Sequence, residues 1–247
     1  MAAEARTAPG GEVAVARDGD VAVLTLRREA KLNALSTHLE SLLLEALRSP
    51  EVRDSRAVVV TGGPRVFSAG ADVVELRAMT AAAIAAYYRS SGAVYEALAR
   101  LPQPTVAAVA GHCIGGGFEL ALAADFRIAD GTAGFALPEV GIGILPSSGG
   151  VTRLVRAVGP ARTRDLVLRG RRITATEAHA WGLVTEVVPP GAHLDRAREL
   201  AAELAGQPPL AVSLTKQVIG AAAESPRETG LLLEQLAYAA LHRTDDR

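Results

Sequence analysis

Apolar residues follow two different rhythms along the chain, and the change of rhythm sets its elements. "VAVARDGDVAVLTLRR" reads as two strands, 13–17 and 21–26, joined at Asp18-Gly19-Asp20, a hairpin signal. "STHLESLLLEALRS" then places leucines at helical spacing behind Ser36 or Thr37, either of which can cap the first turn. "AVVVTG" (57–62) is an unbroken apolar run of the kind buried on both faces in a parallel sheet. "TVAAVAG" (105–111) is a second such run and "ADFRIAD" (124–130) a shorter third. Alanine-rich helical stretches, 80–100 and 118–123, lie between them. Alternation of this kind predicts an α/β architecture with parallel pairing. From Asp195 onward the pattern is helical throughout: "LDRARELAAELAGQ", "PLAVSLTKQVIGAAA" and "ETGLLLEQLAYAALHR". The expected division is a flexible tail at 1–12, a core at 13–195 and a C-terminal helical region at 196–247.

Composition narrows the function classes. The 247 residues are 49% hydrophobic, ample for a core. Lysine and arginine total 26 against 27 acidic residues, so there is no basic excess to bind nucleic acid. No apolar run reaches the ~18 residues of a membrane helix, and the opening "MAAEARTAPGGE" lacks a signal-like apolar segment. A cytoplasmic protein with neither a nucleic-acid nor a membrane partner is the expectation. Cys113 is the single cysteine, which rules out a disulfide within the chain and argues for a small apolar packing role. His38, His112, His179, His193 and His242 show no ligand spacing, so no metal site is expected.

Two of the apolar strands run into loops of small residues. "GPRVFSAGADVVEL" (63–76) follows the first and "HCIGGGFEL" (112–120) the second. In a parallel sheet both loops lie at the carboxyl edge. Three consecutive glycines, Gly115 to Gly117, are costly in backbone entropy. They serve either close helix–strand packing or the exposure of bare amides, and spacing alone leaves both open. If a helix starts near Gly116, its first amides are unpaired and its dipole favours negative charge. Two such loops side by side would form a two-donor anion hole. The separation of the glycines fits neither a phosphate loop nor a dinucleotide fingerprint.

Two carboxylates fall in apolar surroundings. Glu119 lies in "GGGFELALAAD" and Glu139 in "FALPEVGIGILPSSGG". A buried carboxylate is costly unless it is bonded or its pKa rises. Each is either a structural glutamate held by loop amides or an arginine, or an acid–base group for work on an enolate.

These segments together resemble the enoyl-CoA hydratase/isomerase (crotonase) family over most of the chain, from about Val13 to Arg243. "KLNALS" (31–36) is similar to the family's loop beside the acyl-CoA, "VFSAGADVVEL" to its first oxyanion loop, and "PTVAAVAGHCIGGGFELALAADFRIA" to its central signature. "FALPEVGIGILPSSGGVTRL" resembles the catalytic loop, and "AHAWGLVTEVVP" the approach to the C-terminal helices.

The resemblance implies a spiral of β-β-α turns with a C-terminal helical region, and a homotrimer or dimer of trimers. It implies hydration of a 2-enoyl-CoA, with coenzyme A as part of the substrate and no cofactor. By that likeness the amides of Ala71 and Gly116 bind the thioester oxygen. Glu119 activates water and Glu139 protonates C2. Lys31, Leu32, Ala69, Asp72, Val74, Gly115 and Ser147 are then the substrate-contacting positions, and the segment 73–98, with Tyr87, Tyr88 and Tyr95, lies along the acyl pocket. Packing is the favoured role for those tyrosines.

Three features depart from the family pattern. Val74 stands where many members have a lysine for CoA, Ser147 and Ser148 follow Pro146 where a glycine is usual, and the chain stops at Arg247, short of a common final helix. The alternatives are a 3-enoyl to 2-enoyl isomerase working through Glu139 alone, a pathway-specific acyl-CoA hydratase or hydrolase, and, last, a non-catalytic scaffold or RNA-binding member.

Overall fold

The computed structural model describes residues 10–242, with the side chains of 88–91 excepted. The chain opens with an antiparallel hairpin. Strands β1 (Glu12–Asp18) and β2 (Val21–Arg27) pair from Glu12↔Arg27 to Asp18↔Val21, so the turn is the two residues Gly19-Asp20. Gly19 takes φ +56°, the left-handed conformation such a turn needs. Strand β1 starts inside the segment expected to be tail, and residues 1–9 of that segment lie outside the described ones. Helix α1 (Thr37–Leu47) follows, capped by Ser36, whose Oγ accepts from Leu39 N. A short helix, α2 (Pro50–Arg53), leads into β3 (Ala57–Thr61).

Helices α3 (Val73–Ala78) and α4 (Ala81–Ala99) then precede β4 (Thr105–Val109) and the three-residue β5 (His112–Ile114). Next come α5 (Gly116–Ala123), β6 (Phe126–Asp130) and β7 (Gly134–Ala136). Helix α6 (Gly150–Arg169) bends at Gly159-Pro160 and is followed by β8 (Ile173–Thr174), α7 (Ala175–Ala180) and β9 (Glu186–Val188). The chain closes with α8 (His193–Ala205), α9 (Pro209–Ala222) and α10 (Arg227–Leu241).

The main sheet runs β1-β2-β3-β4-β6-β9, parallel from β2 onward. Period two sorts its side chains. Ala22, Leu24, Val58, Val60, Ala107 and Val109 enter the large core shared with α1, α4, α5 and α6. Their neighbours Val21, Val23, Ala57, Val59, Val106 and Ala108 face the other way, onto Ala197, Ala201 and Ala205 of α8. That alanine stripe, at i, i+4 and i+8, lets α8 approach closely. The boundary expected at 195/196 therefore falls inside a helix that covers the sheet. Helices α9 and α10 pack on each other and leave Ile219, Leu232, Leu236 and Tyr238 exposed.

A second, smaller layer comes from short extended pieces. Leu35 bridges Ala71, Ser68 bridges Cys113, and β5, β7 and β8 form a three-stranded sheet. Each turn of the chain thus gives one long strand to the first sheet and one short strand or bridge to the second. Repeated from β2 through β7, this is a spiral of β-β-α turns. A cavity opens where the short pieces meet the start of α5. Among the described residues, no helix is long and apolar enough to cross a membrane.

Candidate active site

Two backbone segments come into contact at the cavity. Leu35 N donates to Gly70 O (2.8 Å) and Asp72 N to Leu35 O (2.9 Å). In such a parallel bridge the residue between, Ala71, turns its own N–H to the opposite side. On that side lies Gly116, the first residue of α5, whose amide has no partner within the helix. A Cβ built on Gly116 would lie 3.5 Å from Ala71 N, and one built on Gly70 would lie 3.2 Å from Gly116 N. The two amides therefore sit side by side, at the positive end of the α5 dipole.

Each glycine of the triplet has its own reason. Gly115 has φ +54°, ψ −128°, a region closed to side chains, and a Cβ there would come within 3.0 Å of Glu139 Oε1. Gly116 leaves open the space beside Ala71 N. Gly117 packs against the backbone of Ser68, where a Cβ would be 2.6 Å from Ser68 O. The triplet combines both roles considered from the sequence, packing at Gly117 and bare backbone at Gly115 and Gly116.

Glu119 lies in the first turn of α5 and is 4% exposed. Its Oε1 accepts from Ser148 N (2.8 Å) and Gly150 N (2.9 Å), the amides leading into α6. Burial pushes its pKa up, while the Gly150 and Ser148 amides and then the Arg153 guanidinium oppose the rise without cancelling it. Arg153 also donates to Ser148 O at 2.9 Å, which ties the loop to the helix behind it. Glu119 is thus a glutamate held by loop amides, with both bonds on one oxygen.

Glu139 opens the 3-10 turn Glu139–Ile142. Burial lifts its pKa to about 7, its own backbone amide opposes this, and the nearby Glu119 adds to the rise. Its Oε2 is buried and has no hydrogen-bond partner.

The cavity between them holds about 370 Å³, and Ala69, Ala71, Gly115, Gly116, Glu119 and Glu139 all line it. Val73, Tyr87 and Tyr95 supply a wall from the 73–98 segment; the Tyr88 side chain lies outside the described residues. Ile142, Ile144 and Leu145 overhang it, although each is substantially exposed.

Several expected substrate contacts stand elsewhere. Ser147 is exposed and off the cavity wall, while its neighbour Ser148 is buried and on it. Asp72 caps α3, its Oδ1 accepting from Val74 N and Glu75 N, and pairs with Arg28 at 2.8 Å. Lys31, Leu32 and Val74 lie on exposed surface outside the cavity, Val74 at 77% exposure. Leu32 O nevertheless accepts from Ala69 N (2.9 Å), which places that surface next to the lining. Cys113 is fully buried and burial raises its thiol pKa, as suits a packing residue. Among the described residues no group of three His, Cys, Asp or Glu could hold a metal ion.

A third carboxyl group, beyond Glu119 and Glu139, stands behind the cavity wall. Glu40, on α1, is buried and accepts from both Tyr87 and Tyr95. The signal was available: Glu40 lies three residues before Leu43 and seven before Leu47, on the helix face that enters the core.

A β-β-α spiral brings two bare amides, the buried Glu119 and the half-buried Glu139 to one cavity, an arrangement able to hold an anion and to move protons beside it. The enoyl-CoA hydratase/isomerase family model matches residues 16–247, and the chain belongs to that family. It is 38% identical over 237 residues to the 2,3-dehydroadipyl-CoA hydratase of Escherichia coli K12, covering 96% of this chain and 92% of that one. It is 36% identical over 240 residues to the short-chain-enoyl-CoA hydratase of Clostridium acetobutylicum, covering 95% and 91%. The solved structure of an enoyl-CoA hydratase from Bacillus anthracis matches with a TM-score of 0.90 at 36% identity, over 96% of this chain and 93% of that one. The fold is the crotonase-like spiral with its C-terminal helices.

Proposed function

We propose that this chain adds water across the double bond of a 2-enoyl-CoA thioester and runs the reverse dehydration at the same site. The observation that carries this is the meeting of the Ala71 and Gly116 amides with Glu119 and Glu139 in one cavity. The thioester oxygen sits between the two amides. Each such donor contributes about 2.7–4 kcal/mol once negative charge develops on that oxygen. Glu119, anchored through Oε1, takes a proton from water through its other oxygen. The water oxygen bonds to C3, and the double-bond electrons move toward C2 and the thioester oxygen as an enolate. Glu139, whose pKa of about 7 keeps a proton available near neutrality, delivers it to C2. Transfer of the proton from Glu119 back to Glu139 restores the starting state. The coenzyme A portion leaves past Ala69 toward the exposed Lys31, Leu32 and Val74. No cofactor beyond the thioester takes part.

The assembly that suits this chain is a homotrimer or a pair of trimers. Ile219, Leu232, Leu236 and Tyr238 on α9 and α10 are large apolar side chains left exposed on this chain, of the kind a neighbouring subunit covers. Light scattering at micromolar concentration would give the mass of three or six chains, and a stable monomer would refute that assembly. The catalytic proposal is tested by following loss of the conjugated-thioester absorbance with crotonyl-CoA and longer, branched and aromatic 2-enoyl-CoAs. Hydration of at least one is expected. A 3-enoyl-CoA that isomerises while no 2-enoyl-CoA hydrates would overturn the proposal in favour of isomerisation.

A further inference from the structure

The wall of the cavity nearest Gly116 is polar in a way the hydration chemistry does not need. Tyr95 is 2% exposed, lines the cavity, and holds its Oη 3.0 Å from where a Cβ on Gly116 would stand. That hydroxyl donates to Glu40 Oε1 at 3.2 Å, and Tyr87 donates to the same oxygen at 3.2 Å. Glu40 does not line this cavity. It lies behind the tyrosines, facing a second space of about 230 Å³ beside Thr37, Ser41 and Leu44. Two hydroxyls converging on one buried carboxyl oxygen have a simple consequence. A phenol has one hydrogen. Once Tyr95 gives it to Glu40, only its lone pairs remain for the cavity, so Tyr95 can accept a hydrogen bond there but not donate one. Burial and then the Glu40 charge hold the Tyr95 phenol well above its ordinary pKa, so the hydroxyl keeps its hydrogen, and the contact with Glu40 Oε1 directs it away from the cavity.

The geometry points to Glu40 as a specificity-determining residue that turns the acyl wall at Tyr95 into a hydrogen-bond acceptor, selecting acyl groups that carry a donor such as a hydroxyl. This rests on the acyl-CoA reading of the cavity. Plain alkyl chains leave the Tyr95 lone pair buried and unpaired. Acyl groups ending in a carboxylate meet the negative potential of Glu40 and Glu119, both of which raise the Tyr95 pKa, while Glu75 and Glu119 raise that of Glu40. Glu40 acts through Tyr95 and Tyr87, so it is a positioning residue and touches no reacting atom.

The test is calorimetric binding of saturated thioesters at pH 8.5, where Glu40, with its pKa of about 7, is ionised and accepts from both tyrosines; it does not depend on turnover. The probes are hexanoyl-CoA, its 4-, 5- and 6-hydroxy derivatives, and adipyl-CoA. Wild type is expected to bind at least one hydroxy derivative about tenfold more tightly than hexanoyl-CoA, the worth of one satisfied hydrogen bond, and to bind adipyl-CoA most weakly. Glu40→Leu should bring the hydroxy and plain chains within about twofold of each other, and so should Tyr95→Phe. Glu40→Gln keeps an acceptor oxygen and should restore the hydroxy preference while relaxing the penalty on adipyl-CoA, a split that a purely structural role would not produce. A wild-type protein that binds hexanoyl-CoA as tightly as every hydroxy derivative overturns the inference and leaves the acyl-CoA reading standing. A preference that survives both Glu40→Leu and Tyr95→Phe also overturns it. If no thioester binds, the acyl-CoA reading fails and the inference falls with it.

Discussion

Replacing Gly150 with alanine isolates the contact that holds Glu119. Gly150 is the first residue of α6, and its φ is not in the left-handed region. On propensity alone, alanine there would stabilise the helix by up to about 1 kcal/mol. A Cβ at this position, however, would lie 2.7 Å from both Cγ and Oε1 of Glu119. That is closer than real Cβ contacts come, and the buried Glu119 has little room to retreat. Overpacking of this kind costs about 1–3 kcal/mol, so the net loss of stability should be about 0–3 kcal/mol. The catalytic effect should be larger. Moving Glu119 by a fraction of an ångström to 1 Å takes it off the Ser148 and Gly150 amides, a misplacement worth about 10²-fold in rate. Urea denaturation reads the first quantity, and crotonyl-CoA hydration at saturating substrate reads the second. In the Glu119→Gln background the alanine should cost almost nothing more, because the group it displaces no longer acts as a base. A folded Gly150→Ala protein with hydration within twofold of wild type would refute the claim that these amides set the position of Glu119.

The triplet glycines should separate function from folding. Gly116→Ala puts a methyl 3.5 Å from Ala71 N and 3.0 Å from the Tyr95 hydroxyl, crowding the amide pair, and should lower hydration about 10²–10³-fold at a smaller cost in stability than Gly117→Ala; Gly117→Ala, 2.6 Å from the backbone Ser68 O, should instead lower the denaturation midpoint, and the reverse pattern would refute both assignments. Stability should also depend on pH through Glu40, whose pKa rises from 4.5 to about 7 on burial. The folded state keeps this proton longer than the unfolded chain, so stability falls as pH climbs from about 4.5 to about 7. A rise of that size corresponds to about 3 kcal/mol, so the wild-type deficit relative to Glu40→Gln should widen by that order between pH 4 and pH 8. A difference that stays flat across the window would show that Glu40 is not buried as described.

What could be read from the residues was what local pattern encodes. The hairpin, the Ser36 cap and the β3 and β4 strands follow from spacing and capping alone. Glu119 and Glu139 stood out because a carboxylate inside an apolar run demands an explanation. The losses have equally local causes. Strands β5 and β7 are three residues long, too short to show a period. Helix α8 falls in the expected appendage because an alanine stripe reads alike on an outer helix and on one pressed to a sheet. Ser147 and Ser148 are chemically identical, and only the turn into α6 decides that Ser148 faces Glu119. Leu32 and Asn33 adopt φ near +50°; asparagine tolerates that region, but a leucine there is not announced by its residue type. Asn33 sits there because its Nδ2 donates to Gly62 O and Val66 O across the loop, a long-range tie invisible to spacing.

The central claim is that two carboxylates divide the proton transfers beside a preformed amide pair. Its most direct test is kcat for crotonyl-CoA hydration by Glu119→Gln and Glu139→Gln, read with the Kd of a saturated acyl-CoA for the same proteins. Glutamine is near-isosteric and keeps an oxygen for the Ser148 and Gly150 amides, so both variants should fold. Each should lose about 10²–10⁴-fold in rate, while the saturated thioester, held by the Ala71 and Gly116 amides, binds as in wild type. The double variant should lose less than the product of the single losses, because both groups act on one water and one enolate. Folded single variants that hydrate crotonyl-CoA at the wild-type rate would contradict the account.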